Sequence, residues 1–176
     1  MNRLAWFGLA ALVACGAGPY GYSRTYTPLD AERSAAEGST DYDPVMVKRE
    51  PEAWQVRKVS LFGVVVKRED RAGKGYLTLS VRVLEQRNAC ETNQEDSCRT
   101  TVSDREYDKV HAAVAFATPE DQAGAESIGA GSLVRVVGKL GPPDAADGVQ
   151  VLDATYYRHW PRGYYRTTSA KDVLRR

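Results

Sequence analysis

The chain has 176 residues, with 24 basic and 23 acidic side chains, 43% hydrophobic residues, three cysteines and two histidines. That length suffices for one domain with a core of its own. The near-even charge argues against a general nucleic-acid binder, which neutralises phosphates with a marked basic excess.

The chain opens on a short positive stretch ending at Arg3, followed by an apolar run over residues 4–14. This is the pattern of a secretory signal, too short to cross a bilayer as a stable helix, so residues 1–14 are read as a signal peptide. Next, Leu12-Val13-Ala14-Cys15 resembles the lipobox at which bacterial lipoprotein precursors are lipidated on cysteine and cut just before it. Ala14 and Gly16 put small residues beside the reacting bond, and Cys15 supplies the thiol. The resemblance implies a covalent diacylglycerol and an N-acyl chain such as palmitate on Cys15, and no other cofactor. Several acyl chains anchor a protein almost irreversibly, at ~0.8 kcal/mol per buried methylene. Gly16 in place of Asp after the cysteine implies sorting to the outer membrane. Loss of residues 1–14 removes Arg3 and leaves 23 basic against 23 acidic residues.

Residues 15–52 hold no sustained apolar period and are rich in Gly, Pro, Ser, Thr and charge, which predicts a flexible tether. As a coil it would hold the domain roughly 35 Å from the lipid. Tyr20, Tyr22, Tyr26 and Tyr42 are candidates for docking on a partner or on lipid, against a solvated spacer as the plainer reading.

A β domain is expected over 53–166. Val59, Leu61, Gly63 and Val65 alternate with Lys58, Ser60, Phe62 and Val64, a strand whose glycine suggests a bulge or sharp coil, ending at Lys67-Arg68. The charged run to Gly73-Lys74-Gly75 reads as a hairpin turn. In the second strand Leu77, Leu79, Val81 and Val83 face one side, and Tyr76, Thr78, Ser80 and Arg82 the other. Cys90 and Cys98 lie close together among polar residues of an exported chain and are read as a disulfide closing a loop. By the chain-entropy model so short a loop contributes about 2–3 kcal/mol. The rival, a metal site of these thiolates with His111 or His159, lacks paired C-x-x-C spacing, so no metal is expected.

Val110, Ala112, Val114 and Phe116 make a third, weaker alternation, although 104–114 also reads as helix. Pro119 begins a short helix with Thr118 as its cap. Strands over 133–140 and 149–158 follow, joined by a turn from Gly141-Pro142-Pro143 to Gly148. Three strands, a short helix and two strands make the order of a five-stranded OB-like barrel, so the fold class is mainly β. In the tail, Tyr156, Tyr157, His159, Trp160, Tyr164 and Tyr165 interleave with Arg158, Arg162 and Arg166. Tyr156 and Trp160 are read foremost as closing the barrel, with Trp160 also a candidate to stack on a ligand. Residues 167–176 form a basic tail in which Ser169 is placed to cap a short terminal helix.

Leu61-Phe62-Gly63-Val64-Val65-Val66, residues 131–138 and Tyr156-Tyr157-Arg158-His159-Trp160 are similar to the corresponding segments of the Slp-type starvation-inducible outer-membrane lipoproteins. The resemblance covers residues 56–165 and implies an outer-membrane lipoprotein with an OB-like barrel and no settled biochemical activity.

No serine or cysteine sits in a recognisable nucleophile context, and the glycine clusters at 73–75 and 129–131 lack the residues of a phosphate loop. The expected function is therefore non-enzymatic: an outer-membrane lipoprotein held by lipid through Cys15, serving as a structural or adaptor component of an envelope assembly with envelope protein partners and no nucleic acid. The alternative is a module for an envelope glycan or anionic polymer, gripped by Tyr76, Thr78, Ser80, Arg82 and Trp160.

Overall fold

The computed structural model describes residues 23–71, 73–90 and 98–169. The signal peptide, Cys15, Tyr20, Tyr22 and the terminal helix expected beyond Ser169 lie outside the described residues.

Five long strands close a barrel: β2 (Lys58–Arg71), β3 (Lys74–Arg82), β5 (Lys109–Val114), β6 (Leu133–Leu140) and β7 (Gln150–Trp160). β2 pairs antiparallel with both β3 and β6, β3 with β5, and β6 with β7; β5 and β7 complete the circuit in parallel. With the short helix α4 (Pro119–Gln122) between β5 and β6, this is the expected OB-like order. Thr118 caps α4, its Oγ1 accepting from the Asp121 N–H. The alternation that marks the strands in sequence also sorts their side chains. Val59, Leu61, Val65, Leu77, Leu79, Val81, Val110, Ala112, Val114, Val134, Val136 and Leu152 all enter one buried interior cluster.

Two local expectations shift. The bulge of β2 falls between Val65 and Lys67, not at Gly63. Gly63 is instead needed for close approach, because a Cβ there would lie 2.9 Å from that of Leu79. β2 also runs to Arg71 rather than stopping at Arg68, because the charged run continues the hairpin ladder as far as Arg71 opposite Lys74. Gly73, just before Lys74, has a φ of +77°, which suits glycine.

The largest departure concerns the expected tether. From residue 23 onward it folds onto the barrel as α1 (Asp30–Ala36), β1 (Thr40–Asp41), α2 (Pro44–Arg49) and α3 (Pro51–Gln55). Asp43 caps α2 through the Val45 and Met46 N–H groups, and β1 adds in parallel to Val59 and Ser60 at the start of β2. Val47 and Trp54 enter the interior cluster, and Tyr42, read from sequence as part of a solvated spacer with docking as the alternative, packs on it while donating to Asp108 at 2.8 Å. The domain boundary expected near residue 53 therefore has no counterpart in the packing.

A second core forms outside the barrel wall. Val64, Leu133 and Trp160 share one cross-strand row on β2, β6 and β7; Phe62, Arg135 and Arg158 share the adjacent row. Tyr26 packs edge-on against Phe62 with ring centroids 5.6 Å apart. α1 lies over the same face, and Glu32 is fully buried there. Its carboxylate accepts from Tyr26 Oη, from Arg135 Nη1 at 2.6 Å, from Arg158 Nη1 at 2.8 Å and from the Leu29 N–H at 3.1 Å. Burial alone would raise the Glu32 pKa. The hydrogen bonds from Tyr26, Arg135 and Arg158 outweigh it, so the carboxyl sits below its ordinary value of 4.5.

The β3–β5 connection completes this outer layer. Cys90 and Cys98 form the expected disulfide. The neighbouring β4 (Thr101–Val102) pairs in parallel with β8 (Arg166–Thr167), so the polypeptide after β7 returns over the connection. Val102, Leu84, Tyr164 and Tyr165 then pack around Trp160.

Replacing Glu32 by Gln leaves two arginines without their buried counter-ion, which should cost roughly 3–5 kcal/mol in urea unfolding. Because the folded carboxyl has the depressed pKa, its contribution is complete above the unfolded value of 4.5 and is lost as pH falls through the folded one. Wild type should lose stability in that acid window, and Glu32→Gln should lose correspondingly less.

Candidate functional site

The four candidate ligand residues on β3 divide into two groups. Tyr76 and Thr78 face β5 and the 141–149 loop. Tyr76 Oη donates to Asp144 Oδ2 at 2.6 Å, its ring centroid lies 5.0 Å from that of His111, and the Arg71 guanidinium sits 3.9 Å above the ring. Thr78 Oγ1 is 3.2 Å from His111 Nδ1, and His111 Nε2 is 2.9 Å from Asp147 Oδ2. Burial first and the Asp144 hydrogen bond second push the Tyr76 phenol up to about 12. The loop acids move the other way, Asp144 chiefly through Tyr76 and Asp147 chiefly through the Val149 N–H. The β3–β5 face at this end is thus fastened to the chain's own loop.

Ser80 and Arg82 depart further from the expectation. Ser80 is 2% exposed, and its Oγ has no hydrogen-bond partner among the described residues. Arg82 Nη1 donates to the carbonyls of Ser103 and Asp104, which holds the β3–β5 connection in place. Trp160 is fully buried at the centre of the outer core, stacked by Arg158 at 4.4 Å, so no ligand reaches it. Its role is the closing one.

A cleft of about 410 Å³ opens beside Arg82, and sequence reading missed it. Its walls come from three stretches distant in sequence: Tyr26 and Pro28 before α1, Tyr42 and Pro44 after β1, and Val83, Leu84 and Tyr107 in the connection. Phe62 and Arg135 form part of its floor. Val83 and Tyr107 stand 48% and 46% exposed, and the exposed Leu29 and Val45 adjoin the lining prolines Pro28 and Pro44. No short motif could have announced this, because the cleft exists only once residues 23–45 are docked on the barrel.

Another arrangement has the order of a serine–histidine–carboxylate relay. His159 Nε2 lies 3.4 Å from Ser132 Oγ, and Nδ1 lies 3.4 Å from Asp121 Oδ1. Ser132 is only 2% exposed, and its Oγ also accepts from the Gly129 N–H at 3.2 Å. The hydroxyl therefore has no approach for a substrate, and the three residues tie β6, β7 and the α4 loop together. Among the described residues no helix is long and apolar enough to cross a membrane.

No family model and no curated protein matches this chain. Among solved structures, it is similar to a chain of the S. pombe Stn1-ten1 complex at 18% identity and a TM-score of 0.31, over 60% of this chain. The chain spans 59% of that one.

Burial is the main influence on His159 and lowers its pKa below 6.5, with Asp121 opposing only in part. Its contribution to stability is complete above the unfolded value and is lost as pH falls through the folded one. The urea midpoint of wild type should begin to drop as pH is lowered through 6.5. His159→Gln should remove this first phase and leave the more acidic Glu32 phase in place.

Proposed function

We propose that this protein is a non-enzymatic adaptor of the bacterial cell envelope, anchored in the outer membrane by acyl chains on Cys15, whose OB-like domain receives an apolar segment of a partner protein in the tyrosine-lined cleft. The observation that carries the docking half of this reading is the concentration of exposed apolar side chains around one concavity. Four of the six exposed large hydrophobic residues among the described ones, Leu29, Val45, Val83 and Tyr107, line the cleft or adjoin residues that do. Exposed apolar patches with a polar border mark protein interfaces, and tyrosine offers a large contact area at low entropic cost. Arg82 and Arg135 outnumber Asp41 among the charged lining residues, so the segment would carry an acidic residue beside its apolar ones. The lipobox supports the anchoring half. Confinement to the membrane layer raises the effective concentration toward other membrane proteins and makes a modest cleft sufficient.

The polymer-binding alternative is supported only by the cationic side chains of the same cleft. Tyr76 is engaged with Asp144 of the 141–149 loop and Thr78 with His111 of β5, and Trp160 is sealed.

Two measurements test the proposal. With a photo-cross-linking residue at position 107 in living cells, one protein should be captured reproducibly. A second substitution, Val83→Asp, should reduce that capture at least tenfold, on the scale of a central interface residue, while the far-ultraviolet spectrum stays unchanged. Capture that survives Val83→Asp overturns the docking half. Separately, Cys15→Ser should release the protein from membranes after carbonate washing, and retention there would overturn the anchoring half.

A further inference from the structure

His111 is 6% exposed, on a strand whose neighbours are otherwise apolar. It lies opposite Thr78 across the β3–β5 ladder, and that register brings Thr78 Oγ1 to within 3.2 Å of Nδ1. In the tautomer whose Nδ1–H donates to this hydroxyl, the Nε2 lone pair faces Asp147 on the 141–149 loop. A hydrogen-bond partner on the second ring nitrogen is the usual companion of a metal-bound imidazole.

What Nε2 meets is a pair of carboxylates. Asp147 Oδ2 is 2.9 Å away, and one oxygen each from Asp144 and Asp147, together with an imidazole nitrogen of His111, lie within 4.8 Å of one another. The 2.9 Å gap between Nε2 and Asp147 Oδ2 is bridged either by a proton on Nε2 or by a cation that takes its place. Donors bound at about 2.0–2.2 Å from a common cation fall within this spacing. The loop presents the acids in a fixed way: Asp144 Oδ1 accepts from the Ala146 N–H at 2.8 Å and Asp147 Oδ1 from the Val149 N–H at 3.0 Å. Tyr76 Oη and, at 3.5 Å, Arg71 Nη1 donate to Asp144 Oδ2.

We propose that His111, Asp144 and Asp147 form a binding site for a divalent transition-metal ion of the zinc class, which fastens the 141–149 loop to the β3–β5 wall. One imidazole with two carboxylates suits zinc better than calcium or magnesium, which take all-oxygen sets. Three protein ligands leave a coordination position for water. The site lies on a different part of the surface from the tyrosine-lined cleft and stands whether or not that cleft takes a partner.

The test is calorimetric titration of zinc chloride into the chelator-treated full-length chain, paired with thermal unfolding. Wild type should bind one equivalent saturably, and its midpoint should rise with added zinc. Asp147→Asn and Asp144→Asn alter only loop side chains, and each should weaken zinc binding at least tenfold and shrink the rise. His111→Gln, which keeps a polar group in the wall, should abolish both. Asp108→Asn, on an unrelated segment, should leave both unchanged. Absence of saturable one-site binding, or binding of unchanged affinity in the Asp147→Asn and His111→Gln chains, overturns the assignment and leaves a proton between His111 and Asp147.

Discussion

A single buried carboxylate decides how this chain is put together. Glu32 pairs with both Arg135 and Arg158, which share a row on the outside of β6 and β7. Those two guanidiniums cannot be covered by apolar surface without a counter-ion, and Glu32 cannot be buried without donors. Each side therefore requires the other. The requirement fixes α1 on the barrel, and with α1 the course of residues 23–57 around one side of the domain. The cost of desolvating three charges is offset by four hydrogen bonds to one carboxylate, a geometry that permits few alternatives.

The consequence is a barrel with a core on each side of part of its wall. The inner one is the ordinary aliphatic filling of a small closed sheet. The outer one is aromatic, built on Phe62 and Trp160, and is roofed by residues from both ends of the described chain and by the disulfide-bearing connection between β3 and β5. Because these roofing segments meet over the start of β2 and the end of β3 without filling the space between them, the cleft is a by-product of their docking. On the neighbouring wall, the loop between β6 and β7 does the opposite and lies down on Tyr76 and His111.

Five strands and the capped α4 were readable in the sequence because each alternates over a buried interior, a constraint that acts within six to fourteen residues. The segment before them was misread for a physical reason. Its elements are each seven residues or fewer and bury only one or two side chains, among them a glutamate, so neither period nor hydropathy distinguishes them from a solvated spacer. The caps were visible in principle: Asp43-Pro44 has the form of a helix start, and Val47 and Trp54 sit seven residues apart. The β3 residues failed as a set for a related reason. Alternation correctly placed Tyr76, Thr78, Ser80 and Arg82 on the outer surface of the wall, but being outside the barrel is not being in solvent when other segments pack there. The tryptophan at the end of β7 closes a core, as its position at a strand end implied, although the core lies outside the barrel.

The docking of Tyr26 and α1 also sets how far the domain can stray from its proposed lipid anchor. Were the chain free to residue 52, the domain would range over tens of ångströms. With residue 23 hydrogen-bonded to Asn88 at 2.7 Å, only eight peptide steps separate it from Cys15, a contour of at most roughly 30 Å. The disulfide-bearing end of the domain, where Ser23 is held, would then be the end turned toward the lipid. Anchored in that way, the domain would be restricted to a shallow layer, in which only neighbours of similar height could meet it.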